Sequence, residues 1–188
     1  IPRGGIVHRL DKDTSGLFVV ARSSLAHLSL IDQLQTRTMG REYFAVVEGT
    51  MVSGGTVDAP IGRHPHDRKR MAVTPNGKEA VTHYRLAQQF DHQTAVTCRL
   101  ESGRTHQIRV HMSSINHPLI GDATYSRRRY PRGLTADARQ FVHDFPRQAL
   151  HAQRLTLQHP DSGKPVEWQS PVPDDIQKLI AALGQKEP

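Results

Sequence analysis

The chain has 188 residues, of which 36% are hydrophobic, and a formal net charge of +7. That length suffices for one compact domain with a core. No segment approaches the roughly 18 consecutive apolar residues of a membrane span, and the first residues lack the apolar core of a signal peptide, so we expect a cytoplasmic protein. The single cysteine, Cys98, excludes an internal disulfide and a paired-cysteine zinc site. We predict that it is a small core residue.

The positive charge is concentrated in two segments, each with a net charge of +4. The first basic arm, residues 60–78, includes Arg68, Lys69 and Arg70, and the second basic arm, residues 126–134, includes Arg127, Arg128 and Arg129. Both contain Pro and Gly, which predicts loops. Basic arms on a nearly neutral body favour a polyanionic partner such as RNA, although ordinary solvated loops are the alternative.

In the first half of the chain, apolar periodicity predicts the following elements. We expect a buried strand over residues 17–21, then a helix capped by Ser23 or Ser24 with an apolar face of Leu25, Leu28, Ile31 and Leu34. Residues 42–48 have a strand pattern that 56–58 continue. Residues 79–90 and 94–101 form a hairpin around a turn at 91–93.

In the second half, a helix is predicted to start after Arg104, with Ile108, Met112 and Ile115 on one face and a stop at residues 116–118. A helix over 135–145, a hairpin of 152–157 with 166–168, and a last helix over 174–183 follow. Hairpins dominate and regular strand-helix alternation is missing. The predicted class is therefore α+β, with a mixed or largely antiparallel central sheet, flanking helices and basic loops.

The first chemically suggestive motif is residues 8–16, His-Arg-Leu-Asp-Lys-Asp-Thr-Ser-Gly. Arg9 and Asp11 are two apart, so in extended backbone their side chains point the same way. The motif is either a catalytic loop or a polar loop in which Asp11 or Asp13 caps the turn. A protein-kinase catalytic loop is excluded, because Leu10 interrupts His-Arg-Asp, no later Asn stands at the required position and no Gly-rich loop precedes it.

The second motif is residues 103–112, where Arg104 stands at the entrance of the predicted helix. Arg104 and the helix N-terminus together suit a phosphate or a buried carboxylate. A metal site at His106, His111 and His117 is the competing idea. Their spacings do not align the three imidazoles on one helical face, and no nearby acid or cysteine completes a ligand set, so we predict no metal site. The histidines are then hydrogen-bonded or RNA-contacting residues.

Residues 8–16, the run Arg41-Glu42-Tyr43, and residues 103–112 with 116–122 resemble the ordered motifs of the RluA-type family of RNA pseudouridine synthases. Residues 54–61, 71–73, 80–84 and 148–152 are similar to the members that act on large-subunit ribosomal RNA. The resemblance covers nearly the whole chain. It implies isomerisation of uridine to pseudouridine in RNA, with a transfer-RNA substrate left open.

The resemblance also implies roles for individual residues. Asp11 would be the catalytic aspartate, paired with Arg104, and Arg9 would help to displace the target base. Tyr43 would stack on the uracil, although an ordinary core aromatic is the alternative, and Ile108 would be the apolar wall. Arg109 is a second candidate for a phosphate or carboxylate contact. The remaining RNA-contacting candidates are His106, Arg68, Lys69, Arg70, Arg127, Arg128 and Arg129.

A single carboxylate suits this reaction, since the leaving uracil is held and reused, whereas glycoside hydrolysis generally needs two. Asp11 attacks C1′ or C6, or removes a proton from C2′; the sequence leaves these open. We expect a monomer that needs no metal or other cofactor. A noncatalytic RNA-binding or ribosome-assembly module and a base-excising glycosidase are the rival hypotheses.

The sequence departs from the family pattern at its front. An earlier catalytic-domain segment with its own strand, and the S4-like RNA-binding domain of many members, are not found before residue 1. We therefore expect residues 1–188 to be a catalytic domain without its N-terminal segment, with a sheet that lacks one strand.

Overall fold

The computed structural model describes residues 1–127 and 129–186. The strands of this part are β1 (Ser15–Gly16), β2 (Gly40–Glu48), β3 (Gly55–Asp58), β4 (Ile61–Arg63), β5 (Met71–Val73), β6 (Val81–Gln89), β7 (Gln93–Leu100), β8 (Leu150–Gln158) and β9 (Pro165–Gln169). Its helices are α1 (Ser24–Gln35), α2 (Gln107–Ser114), α3 (Ala136–His143) and α4 (Asp174–Leu183). The predicted α+β class is confirmed.

Seven of the described strands form one mixed sheet in the order β1-β8-β2-β7-β6-β3, with β9 also paired to β8. All pairings are antiparallel except that of β1 with β8. The predicted hairpins β6–β7 and β8–β9 are confirmed. Residues 56–58 do not continue β2 as expected but form the separate strand β3, which pairs with β6 at the sheet edge.

The two faces of the sheet are covered by different helices. Ile108 and Met112 of α2 pack on one face, against Tyr43, Ala45, Val47, Val96 and Cys98. Helices α3 and α4 cover the other face, where Ala138, Val142, Ile176 and Leu179 contact Val46 and Ala95. Alternate residues of β2 thus point to opposite cores, as the strand repeat requires. Cys98 is a fully buried free thiol, as predicted, and burial raises its pKa to about 12.

The prediction of a buried strand over residues 17–21 is wrong. In this part of the chain, pairing with β8 is limited to Ser15 and Gly16. The last hydrogen bond to β8 is donated by the Leu17 N–H to the Ala152 oxygen at 2.9 Å. The chain then leaves the sheet because β9 occupies the same edge of β8 from Arg154 onward. Phe18 is consequently 40% exposed.

Helix α1 is present and Ser23 caps it, but its predicted apolar face is wrong. Leu25 and Leu28 are 77% and 65% exposed, whereas His27, Leu30 and Gln33 are buried. The Gln33 amide donates to the Gln158 oxygen and accepts from the Gln158 N–H, both at 2.8 Å. These two hydrogen bonds dock the Gln33 face of the helix on the end of β8.

The first basic arm is not a loop throughout, as expected, but contains the small antiparallel hairpin β4–β5. Its tip carries Arg68 and Lys69, which are exposed. In the second basic arm the described residues are irregular, and Tyr130 stacks on His143 of α3 with ring centroids 3.9 Å apart. Over residues 1–127 and 129–186, no helix has the length and apolarity needed to cross a bilayer.

Candidate active site

One pocket brings together residues from three distant parts of the sequence. Arg9 and Asp11 come from the loop before β1, Tyr43 comes from β2, Arg104 comes from the loop before α2 and Ile108 from its first turn; all five line the pocket. Among the described residues that line it, Asp11 is the one acid. The pocket therefore presents a single carboxylate in arginine-rich surroundings.

Asp11 is held by Arg109. An Arg109 Nη1 donates to Asp11 Oδ2 at 3.4 Å, and both side chains are almost enclosed, at 7% and 11% exposure. The predicted pairing of Asp11 with Arg104 is corrected accordingly. The Arg104 side chain is exposed and its Nε donates instead to the backbone oxygen of Glu79 at 2.9 Å.

Arg109 is fixed by a second carboxylate beneath it. Its Nε and Nη2 bond the two oxygens of Asp122 at 2.7 and 3.0 Å, and the Asp122 side chain is fully buried. Asp122 also accepts from the N–H groups of Thr124 and Tyr125. Such a bidentate, charge-assisted pair sets the direction of the guanidinium. Arg109 thus has one nitrogen left for Asp11.

The loop that carries Arg104 is pinned by Gln107, the first residue of α2. The Gln107 oxygen accepts from Ser102 Oγ at 2.8 Å and from the Arg104 N–H at 3.0 Å. Its Nε2 donates to the oxygens of Val81 and Thr82 in β6. The helix begins at Gln107, two residues later than predicted; Arg104 lies in the preceding loop and Arg109 lies on the helix.

The Asp11 loop is anchored from the other end of the chain. Arg147 donates to the backbone oxygen of Asp13 at 3.0 Å and forms a bidentate pair with the carboxylate of Asp175 in α4. Gln148 donates to the Lys12 oxygen at 2.7 Å. Gly16 completes the anchor, since a Cβ there would lie 2.2 Å from the Ala152 oxygen, closer than any side chain allows.

Tyr43 and Ile108 form the apolar side of the pocket. Both are also core residues, 7% and 4% exposed. The β2–β8 pairing shifts register between Glu42 and Tyr43, where Gln153 of β8 is the extra residue, while β2 keeps an unbroken register with β7. Burial raises the pKa of Tyr43 above its ordinary value; the charge of Arg41 opposes this and the charge of Asp11 adds to it. The phenol is therefore neutral at physiological pH.

Tyr125 connects the pocket to the first basic arm. Its hydroxyl hydrogen-bonds His106 Nδ1 at 2.8 Å and accepts from the Met71 N–H at 2.9 Å. The guanidinium groups of Arg70 and Arg109 lie 5.3 and 5.1 Å from its ring centroid, within cation–π range. Burial lowers the pKa of His106, against the opposing charge of Asp11.

The remaining RNA-contacting candidates lie at the surface around this region. Arg68 and Lys69 are exposed at the tip of the β4–β5 hairpin. Arg127 and Arg129 are exposed and line a separate depression beside Asp122. Arg128 lies outside the described residues.

The three histidines considered as metal ligands have separate hydrogen-bond partners. His106 contacts Tyr125, His111 lies between the Thr82 hydroxyl and the Ala59 oxygen, and His117 contacts the Glu48 oxygen. Within the described ranges, no group of three or more His, Cys, Asp or Glu side chains is arranged to hold a metal ion.

Sequence reasoning missed several residues that hold the site: Asp122, Tyr125, Gln107, Arg147 and Gln148. Gln107, Asp122 and Gln148 lie inside the quoted motifs but received no role. Their polar side chains could have indicated a structural role, because a polar side chain in an apolar surrounding needs a hydrogen-bond partner. Arg41, which also lines the pocket, was quoted only as part of a motif.

Comparison with known proteins agrees with this geometry. Residues 2–114 match the family model described as RNA pseudouridylate synthase, and the chain belongs to that family. Similar solved structures are human RNA pseudouridylate synthase domain containing 4 (TM-score 0.76, 25% identity, 97% of this chain and 77% of that one) and domain containing 1 (TM-score 0.71, 26% identity, 97% and 81%).

The chain is also similar to curated bacterial proteins named ribosomal large subunit pseudouridine synthase D. It is 53% identical to that of Xanthomonas campestris pv. campestris over 98% of this chain and 56% of the relative. It is 56% identical to that of Nitrosomonas europaea over 97% and 52%. The chain thus spans about half the length of the curated relatives it matches.

Proposed function

We propose that the chain isomerises uridine to pseudouridine in large-subunit ribosomal RNA, with Asp11 as the catalytic residue. The observation that carries this proposal is the single carboxylate of the pocket, held by Arg109 beside an aromatic and an aliphatic wall. Family membership supports the reaction class. The names of the relatives support the substrate.

The reaction breaks the N1–C1′ bond and forms a C5–C1′ bond on the same ribose, while C5 loses a proton and N1 gains one. Asp11 supplies the carboxylate that acts on the sugar or the base. A buried carboxylate without a partner would be costly, and Arg109 removes that cost while leaving one carboxylate oxygen for the substrate.

The target uridine has to leave its stack to reach Asp11, and unpaired loop or bulge nucleotides do so at the least cost. Tyr43 offers the face on which the uracil stacks, Ile108 closes the apolar side, and Arg9, which is exposed at the pocket mouth, occupies the vacated space. His106 and the basic arms contact the surrounding phosphates. We infer a monomeric catalytic domain that needs no cofactor, since this one chain supplies the acid and its cation. We also infer that it is cytoplasmic.

The test compares Asp11→Asn with the wild-type chain on RNA whose uridines carry tritium at C5. Isomerisation releases that tritium, because C5 loses its hydrogen when it bonds to C1′. We expect tritium release to be abolished in Asp11→Asn while RNA affinity changes less than about threefold, a difference of well under 1 kcal/mol.

Asp13→Asn is the matched control, since Asp13 lies two residues away, outside the pocket lining, with a backbone φ of 70° that asparagine tolerates. It should retain wild-type activity. Tritium release by Asp11→Asn at the wild-type rate would contradict the proposal, and release of free uracil by the wild-type chain would instead identify a base-excising glycosidase.

A further inference from the structure

A second cavity adjoins the Asp11 pocket, and two residues of its lining each carry an enclosed donor without an acceptor. Arg9, Arg41, Gly103 and Arg104 line both spaces, and His8 lines only the second, which has a volume of about 560 Å³. We call it the adjoining cavity. Buried polar groups are nearly always hydrogen-bonded, so unpaired donors in a cavity call for an explanation.

Arg41 is the first of these donors. The residue is 7% exposed, its Nε is enclosed without an acceptor, and no hydrogen bond or ion pair involves its guanidinium in the described part of the chain. Space is reserved for it by Gly103, where a Cβ would lie 2.5 Å from Arg41 Nη1. An arginine is always charged, and a buried charge without a counter-charge is unfavourable. Burial accordingly lowers the pKa of Arg41.

His8 is the second donor. The Val19 N–H donates to His8 Nε2 at 3.1 Å, so Nε2 is the accepting nitrogen and, in the neutral ring, Nδ1 carries the hydrogen. Burial, with the charge of Arg41, lowers the pKa of His8 to about 4, which keeps the ring neutral at physiological pH. Nδ1 is enclosed and has no acceptor.

The acid of the cavity wall does not serve these donors. Glu101 is held by Arg37 at 2.8 Å and by His83 at 2.5 Å. Glu101 is the one acid among the described residues that line the cavity, which therefore combines several cationic side chains and two unpaired donors with no free carboxylate. The ligand that matches this pattern is a singly charged group with two accessible oxygens, such as a phosphodiester.

We propose that the adjoining cavity binds a backbone phosphate next to the uridine held at Asp11, with Arg41 as the phosphate-binding residue and His8 as a second donor. The proposal deepens the proposed function and rests on it, because the two spaces share Arg9, Arg41, Gly103 and Arg104. Arg41 and Tyr43 are two apart on β2, so their side chains point to the same face. One strand thus presents the phosphate contact and the base-stacking surface together.

The first experiment uses the Asp11→Asn chain, so that RNA is bound without turnover. Its affinity is measured for a uridine-containing stem-loop and for two versions in which one phosphate flanking the uridine is a neutral methylphosphonate. We expect Arg41→Gln to weaken binding of the natural RNA about tenfold or more, as for a hydrogen bond to a charged group. With the methylphosphonate at the contacted position, the same substitution should have no further effect.

Arg154→Gln is the control, since Arg154 pairs with Glu167 on β9 and lines neither space. It should leave all three affinities unchanged. If Arg41→Gln weakens the natural RNA and both methylphosphonate RNAs equally, the phosphate contact is refuted.

A second measurement needs no RNA and is made on the wild-type chain. The Arg41 Nε–H resonance of the wild-type chain, identified by its loss in Arg41→Lys, is followed by NMR during titration with inorganic phosphate. We expect a saturable shift of this resonance, and no shift at all would overturn the proposal. Neither binding measurement depends on isomerisation, so loss of the proposed activity alone would leave the phosphate site standing.

Discussion

Replacing Arg109 by glutamine tests which cation holds Asp11. The family resemblance implies Arg104 in that role, whereas the structure gives it to Arg109, which contacts both Asp11 and Asp122. Arg104→Gln is the matched control, because it removes the same charge from a residue that lines the pocket but does not contact Asp11. Each variant loses one guanidinium group. The difference between the two variants in stability and activity therefore reports the effect of where the charge lies.

The expected loss of stability in Arg109→Gln follows from the state of Asp122 in that variant. Asp122 is fully buried and loses two short hydrogen bonds to a cation, a change that costs about 3–5 kcal/mol when one partner of a buried pair is removed. Asp122 keeps the N–H donors of Thr124 and Tyr125, so we expect the lower end, about 3 kcal/mol. Arg104 is exposed, and Arg104→Gln should cost less than about 1 kcal/mol.

Urea unfolding followed by circular dichroism measures both costs, and tritium release measures activity. Arg109→Gln should also lose activity by at least about tenfold, equivalent to about 1.4 kcal/mol, because Asp11 loses its partner. Adding Asp122→Leu to Arg109→Gln should recover part of the lost stability, since no buried charge then lacks a partner. A cost below about 1 kcal/mol for Arg109→Gln, or an equal cost for Arg104→Gln, would refute the reasoning.

Two further predictions concern pH and salt. His8 has its pKa lowered from 6.5 to about 4 by burial, so protonation favours the unfolded chain, and the wild-type chain should lose stability as pH falls from 6.5 towards 4. Between about pH 7.5 and about pH 5.5, His8 should account for a loss of about 1.3 kcal/mol in the free energy of unfolding. Urea unfolding of His8→Gln should show a loss that is smaller by this amount over the same pH range. An unchanged pH dependence in the variant would contradict the prediction. In the first basic arm, Arg68→Gln with Lys69→Gln should weaken binding of uridine-containing RNA and reduce the slope of log K against log salt by about 1.4 if both side chains contact single-stranded phosphates. Lys164→Gln, in the β8–β9 turn at the far end of β8 from the pocket residue Leu150, should change neither quantity, and an unaltered slope in the double variant would remove the arm from the interface.

The sequence predicted those parts of the fold that depend on local pattern. The hairpins β6–β7 and β8–β9, the cap of α1 and the bounds of α4 follow from alternation, turns and capping residues. The absence of a strand over residues 17–21 could not be predicted from local pattern. The edge of β8 on which this strand would pair is occupied by β9, which lies almost 150 residues later. The face of α1 depended on Gln33, which reaches the backbone of Gln158 rather than an apolar neighbour.

The same distinction applies to the site. The sequence motifs identified Asp11, Tyr43, Arg104 and Ile108, all of which line one pocket. For the cation that contacts Asp11, they gave Arg104 first and Arg109 as a second candidate for a carboxylate contact, and the structure gives the contact to Arg109. The Arg104 side chain bonds the backbone oxygen of Glu79 instead, a contact between distant residues that the motif does not encode. Asp122, Arg147 and Gln148 act through contacts between residues far apart in sequence, which local patterns do not encode.

The parallel pairing of Ser15 with His151 has a consequence for how the chain folds. The two residues are 136 positions apart, and contacts of such separation form late, after the entropy of closing the long loop between them has been overcome. Arg147 and Gln148 impose the same order on the Asp11 loop. During synthesis, the Asp11 carboxylate therefore reaches its position in the pocket only after β8 has emerged, and a nascent chain that ends earlier has the motif without a formed pocket.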